Sequence, residues 1–290
     1  LLIDAEARSR AEAMQQEIDD QLLENKYVPI MKKALDSGLL LGTGVVKGPL
    51  VQYQKNKTYV FNGSQWATDS AEEARPYIEF TRVWDFYPDM TVTEWQDAEG
   101  AYQRHVMTKH EVRSLGRKKG FDKATINAYL TTQPEGDAGF KDWELKLLQI
   151  TNQSTASEIS KGRKYEVLEY WGYVDGRDLA LAGVSIPEEN QAGMEFEANV
   201  WILGKHVIKA TLNNRPRETR PWHVFYFEKD DSSIFGSGLG VITRDSQITV
   251  AAAARMTLDN AAKGTGPQIE ANTDLLDPLQ DLDDIFPWKV

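Results

Sequence analysis

The stretch "IFGSGLGVITRDSQITVAAAARM", from Ile234 to Met256, constrains the fold more than any other. Gly236, Gly238 and Gly240 alternate, small polar residues follow, and then the alanines of a helix. A helix on the surface of its own domain carries one apolar stripe. Here alanine falls on every face. Alanine is the best helix former, and its small side chain lets neighbouring helices approach closely on more than one side. The pattern predicts one helix from about Val241 to Lys263, stopped by Gly264-Thr265-Gly266-Pro267.

A glycine-rich turn feeding a helix is also a way to hold a phosphate. The spacing G-x-G-x-G differs from the G-x-G-x-x-G of dinucleotide folds. Such folds place an acidic residue after a second strand about 20 residues on, whereas Asp259 lies inside the predicted helix. In "GTGVVKG" the lysine precedes the last glycine, and no Ser or Thr follows it, so a phosphate loop is only loosely matched. Gly236, Gly238 and Gly240 therefore read as loop and helix-start geometry.

The remaining periodicities give an α+β chain. Asp4 is placed to cap a helix whose apolar stripe is Ala7, Ala11, Met14, Ile18 and Leu22. A second helix is predicted over Val28–Leu40, with Pro29 tolerated in its first turn. "LLGTGVVKGP" reads as a break. Strands are predicted at 51–54, 57–63, 77–89, 101–108, 165–174 and 222–228, with turns at Asn62-Gly63 and Asp175-Gly176. Two more strands fall in 194–214 around a hairpin at Gly204-Lys205. Two short helices are expected within 109–131, the second capped by Asp122, with a further short element in "FKDWELKLLQI". The span 151–163 reads as a polar loop, and no internal repeat is present. Helices first and last, with antiparallel strands between, define the class.

Length and composition narrow the functions. A chain of 290 residues can bury a real core as one large domain or two smaller ones. With no cysteine, disulfides, thiolate zinc sites and cysteine nucleophiles are all excluded. No apolar run approaches the roughly 18–20 residues that span a membrane. Lys plus Arg number 33 against 44 Asp plus Glu, a formal net charge of -11. Such a chain does not attract nucleic acid globally, because affinity for phosphates comes from clustered Lys and Arg. The chain opens at Leu1 and closes on the strand-like "DIFPWKV", which is how an internal piece of a longer protein would look.

Candidate chemistry is sparse. His105, His110, His206 and His223 are scattered, and His105 and His110 would not share a helix face. Glu188-Glu189, Asp230-Asp231 and Asp283-Asp284 offer paired carboxylates, and Trp171, Trp201 and Trp222 offer aromatic walls. Together these leave open a glycan hydrolase, if a cleft brought two carboxylates face to face. The basic run Lys109, Arg113, Arg117, Lys118, Lys119 and Lys123 reads as a solvated helix face, with nucleic acid or an acidic partner as the functional alternative. No catalytic residue, metal ligand or cofactor site is predicted.

Four stretches in order carry a resemblance: "LLGTGVVKGPLV", "VWDFYPDMTVTEWQDAEGAYQRHVMTKHEVRSL", "YEVLEYWGYVDGRDL" and "PWHVFYFEKDDSSIFGSGLGVITRDSQITVAAAARMTLDNA". The chain resembles the portal proteins of tailed bacteriophages, especially the short-tailed kind, over most of residues 4–290. The resemblance implies a homo-oligomeric, typically dodecameric ring, the head-to-tail connector at one vertex of the capsid. Double-stranded DNA would pass through it during packaging and ejection without sequence specificity. The terminase, tail adaptors and the major capsid or scaffold protein would dock on it. It implies assembly in the host cytoplasm, a place in the virion, and no membrane. By the same likeness residues 1–235 would be a β-rich wing, 236–266 the first stem helix, and 267–290, with six acids before a single lysine, the start of a clip. The remaining clip, second stem helix and crown would lie beyond Val290. A stem helix needs neighbours on both flanks and a polar edge toward the lumen. On a 3.6-residue period Arg244, Gln247, Arg255 and Asp259 share one side, which marks them as channel-lining residues. An acidic conduit would not grip DNA phosphates. Another virion structural protein with a similar core is the remaining alternative.

Overall fold

A computed structural model of the chain describes residues 2–61, 66–150, 163–191, 193–213, 215 and 220–265. Helices and antiparallel sheets make an α+β fold, and among the described residues the strands pair antiparallel. The chain forms two compact units that meet in sequence between Ser237 and Gly238.

The first unit opens with helices α1 (Leu2–Glu24) and α2 (Tyr27–Leu41). Asp4 lies inside α1, which starts at Leu2, so it is not the cap that the sequence suggests. α2 ends on Gly42 at φ 88, a left-handed cap that glycine adopts without a Cβ clash. Strand β1 (Thr43–Phe61) begins at once, where a break was expected. It is one strand instead of two, because an irregularity in register between Lys47 and Leu50 absorbs Gly48-Pro49. Strand β2 (Trp66–Thr81) returns along it, and the predicted turn at Asn62-Gly63 lies outside the described residues.

Next come β3 (Phe86–Pro88), β4 (Gly100–Thr108), α3 (Lys109–Leu115), α4 (Lys123–Thr132), α5 (Asp142–Ile150) and β5 (Lys164–Asp175). Then α6 (Gly176–Leu181) precedes β6 (Glu195–Leu203), β7 (His206–Leu212) and β8 (Trp222–Tyr226). Asp122 caps α4 as expected, accepting from the amides of Ala124 and Thr125. Thr108 and Glu111 form a capping box on α3, which the sequence reading did not pick out. Asp175 caps α6 where a simple turn was expected. Gly204, at φ 60, makes the β6–β7 hairpin.

Among the described residues the strands form two sheets, β2-β1-β8 and β3-β4-β5-β6-β7. One core joins Val112, Leu115, Ile126 and Leu130 of α3 and α4 to Tyr165 and Val167 of β5. A second sets Val45 and Trp222 of the small sheet against Phe86 and Ala101 of the large one. A third covers the other face of the large sheet with Leu179 and Ile186, packed on Ala198 and Val200.

The second unit holds a short helix, α7 (Leu239–Ile242), and the long α8 (Arg244–Thr265). One continuous helix from Val241 was expected. The chain instead makes a single turn, passes through Thr243, and starts afresh at Arg244. Gly264 lies within α8, so the helix runs past the predicted stop. Residues 267–290, assigned by resemblance to a clip, lie outside the described residues.

Candidate functional site

α8 is 22 residues long, and every side chain of it that is described is exposed. Its large apolar residues Ile248, Val250, Met256 and Leu258 point in four different directions on a 3.6-residue period. Arg244, Gln247, Arg255 and Asp259 lie along one side, and Ile248 and Leu258 fall on that side too. That side is therefore mixed in character. The opposite side carries Ser246, Thr249, Ala253, Thr257 and Asn260, small and uncharged. There Thr249 Oγ1 donates to the Asp245 carbonyl at 2.9 Å and Thr257 Oγ1 to that of Ala253 at 2.8 Å. These two hydroxyls are satisfied by the helix itself, so the threonines present their methyl groups there beside Ala253.

The three glycines before α8 do different things. A Cβ on Gly236 would come within 2.6 Å of the carbonyl oxygens of both Glu228 and Gly42, and its amide donates to Thr43 Oγ1 at 2.9 Å. Close backbone approach requires glycine there. The Gly238 carbonyl accepts from the amides of Val241 and Ile242 and so opens α7. A Cβ on Gly240 would meet nothing within 4 Å. None of the three has the positive φ that a sharp glycine turn would show.

A buried charge cluster, which the sequence reading missed, joins the two sheets. Lys47 on β1 bonds Glu169 on β5, with side chains 2% and 3% exposed. His105 Nε2 stands 2.9 Å from the same carboxylate oxygen. Trp171 Nε1 donates to the other oxygen at 2.7 Å, and Asn199 Nδ2 reaches it at 3.3 Å. Trp201 donates to Asn199 Oδ1 and stacks on His105 at 5.2 Å. Lys47 Nζ sits 5.4 Å from the centre of the Trp222 ring, which favours a cation over its face. Burial alone would raise the Glu169 carboxyl. The Lys47 charge and the His105 hydrogen bond outweigh that and hold it well below the usual carboxylate range. Trp171, Trp201 and Trp222, considered above as walls of a sugar cleft, pack around this cluster.

Among the described residues the paired carboxylates do not converge. Glu188 and Glu189 lie in an exposed 3₁₀ turn, Asp230 is engaged by Ser232, and Asp283-Asp284 lies outside the described residues. Of the histidines, His105 serves Glu169, His223 contacts the Gly48 carbonyl, and His206 lies beside Tyr129. Among the described residues no group of three or more His, Asp or Glu could hold a metal ion. The side chains of Arg113, Arg117, Lys118, Lys119 and Lys123 are exposed. No described helix is long and apolar enough to cross a membrane.

No protein-family model matches the chain, and no curated protein matches it.

Proposed function

We propose that the protein is a structural subunit of a portal-type ring, a homo-oligomer whose central channel passes double-stranded DNA. The single observation that carries this reading is α8, a long helix whose described side chains are all exposed. Isolated helices gain little from propensity alone, and most helical stability in proteins comes from packing a face. A 22-residue helix with alanines and large apolar residues all round is suited to neighbours on both flanks. In a ring those neighbours are copies of itself, and Arg244, Gln247, Arg255 and Asp259 would face the lumen. The mixed charges on that side, Arg244 and Arg255 against Asp259, in a chain of net charge -11, suit a wall that DNA passes without gripping. Docking of terminase and tail adaptors, and a place at the capsid vertex, belong to this proposal through the resemblance.

The test is the mass and shape of full-length protein. Rings with a central hole under negative stain, and a matching mass in solution, are expected. A monomer or small oligomer that hydrolyses glycans would replace this reading with the hydrolase one.

A further inference from the structure

β3 is much shorter than the strand it lies against. It pairs β4 only from Phe86 with Gln103 to Pro88 with Ala101. Before Phe86 the chain leaves the sheet in a 3₁₀ turn, Val83–Asp85, where the Asp85 amide donates to the Arg82 carbonyl at 2.9 Å. On its other side β4 pairs β5 as far as Thr108. From Arg104 to Met107, therefore, one side of β4 has no described strand against it. The phase of the ladder tells which groups lie there. The Asp89 amide donates to the Gly100 carbonyl, across the β3 side, and the Tyr173 amide donates to the Glu99 carbonyl, across the β5 side. Even positions of β4 thus turn their N–H and C=O toward β3. The N–H and C=O of Val106 face the open edge. Such an edge is a template for another strand.

The edge opens into a cavity of about 440 Å³, lined among others by Phe80 and Thr81 of β2, Asp85, Arg104 and Met107 of β4, and Leu115 of α3. Two of these side chains are incompletely satisfied. Thr81 is 1% exposed and Asp85 6%, and neither Thr81 Oγ1 nor Asp85 Oδ1 has a hydrogen-bond partner among the described residues. Buried polar groups nearly always have one. The other Asp85 oxygen accepts from Arg82 Nε at 2.7 Å, and Arg104 Nη1 stands 3.5 Å from Oδ1. Arg104 is directed away by Glu166, Glu144 and the Gly139 carbonyl. The Asp85 carboxylate thus has two cations beside it already. What Oδ1 lacks is a donor, and a third cation would be repelled by the two guanidiniums.

We infer that this cavity takes an extended segment of another polypeptide, added as a strand along the open edge of β4, with a neutral amide side chain directed at Thr81 and Asp85. Backbone bonds to Val106 supply affinity and the side chain supplies specificity, the division of labour in strand addition. An Asn or Gln fits the two orphan atoms together, since its NH₂ donates to Asp85 Oδ1 while its oxygen accepts from the Thr81 hydroxyl. Phe80, Met107 and Leu115 offer apolar surface to the residues on either side. The open edge is about 14 Å long, which suits four or five residues. The inference goes beyond the ring reading and stands whether or not the chain forms rings.

Hydrogen exchange of the full-length protein, read by mass spectrometry, tests it. The probes are the blocked pentapeptide Thr-Val-Asn-Val-Thr and the same peptide with Leu or Lys in place of Asn. The Asn peptide, at up to about 1 mM, is expected to slow exchange in segment 104–108. It should do so at about 10-fold lower concentration than the Leu or Lys peptide. Thr81→Val removes a hydroxyl that bonds nothing in the chain, so the fold should stand while the preference for Asn falls below about 3-fold. Val106→Pro removes the edge N–H and leaves the β5 ladder whole, and should abolish the effect of all three peptides. Circular dichroism checks both variants. If Val106→Pro does not fold, the Thr81→Val comparison decides alone. Slow exchange of 104–108 with no peptide present, lost on dilution, supports the inference and makes a second copy the source of the strand. Equal slowing by all three peptides overturns the role given to Thr81 and Asp85. No slowing by any of them overturns the inference and leaves ordered water as the occupant.

Discussion

The interior around Lys47 and the surface of α8 invert the usual placement of residues. Lys47 and Glu169 are charged and buried, and Val250, Met256 and Leu258 are apolar and exposed. The first arrangement is complete within one chain. Each charge has its counter-charge, and Trp171, His105 and Asn199 take up the remaining capacity of the carboxylate. In the second, the described side chains of the helix are exposed. One chain therefore holds a β-rich unit whose buried charges are paired and a helix whose described side chains are exposed.

The largest expected effect breaks the buried pair. Lys47→Met leaves Glu169 buried without its cation, and losing one partner of a buried pair costs about 3–5 kcal/mol. Denaturant unfolding measures it. Lys47→Met with Glu169→Leu removes both charges and is expected to recover most of that loss. If the double variant is as unstable as the single one, the geometry of the pair matters more than its charge.

Acid sharpens the same contrast. The folded state holds the Glu169 carboxyl below its unfolded range. Its contribution is therefore fully present above the unfolded carboxylate value of about 4.3 and is lost as pH falls toward the folded one. Unfolding free energy followed from pH 7 downward should decline below about pH 4 in the wild type, and decline less in the Lys47→Met, Glu169→Leu double variant. Equal decline in both would place the acid sensitivity in other carboxylates.

What the sequence made legible follows the same division. Periodicity located α2, α4, β4, β5 and the β6–β7 hairpin because each buries one face or both within the unit. Gly44, Gly48 and Pro49 read as breakers and concealed the length of β1, since local residue types do not show a register irregularity. The Lys47–Glu169 pair had a signal that went unused. Glu169 shares the inward alternation of Tyr165, Val167 and Trp171, and Lys47 that of Thr43 and Val45. An acid and a base on inward positions of two strands point to a pair between sheets. The mixed side of α8 was legible in part. Its four polar residues are in phase, but Ile248 and Leu258 share that phase, and only neighbours around the helix would decide which of them face water.

The exposed helix is tested by crowding it. Ala252→Leu or Ala253→Leu should leave unfolding of the β-rich unit unchanged and impair ring assembly, at about 1–3 kcal/mol for each overpacked contact. Arg255→Ala or Asp259→Ala should leave assembly intact and change the amount of DNA packaged or retained. Ring yield and packaged DNA, measured separately, distinguish the two classes. The reverse result would mean that the faces of α8 are assigned the wrong way round. No effect from either class would remove α8 from the channel.

The smallest effect is expected at the start of the helical unit. Gly240 lies in α7, has no positive φ, and has open space where a Cβ would sit. Alanine there meets no clash and lowers the entropy of the unfolded chain, so Gly240→Ala should stabilise the helical segment by about 0.4–1 kcal/mol. Gly236, four residues earlier, has no such room beside the Glu228 and Gly42 carbonyls, and Gly236→Ala should destabilise the β-rich unit. Thermal unfolding read by far-ultraviolet circular dichroism for helix and by tryptophan fluorescence for the sheets separates the two. If Gly240→Ala instead blocks ring assembly while leaving the monomer intact, a neighbouring copy approaches that backbone as closely as Gly42 approaches Gly236. The glycine would then be required by the assembly, and the boundary between the β-rich unit and the assembling helix would lie at Gly240.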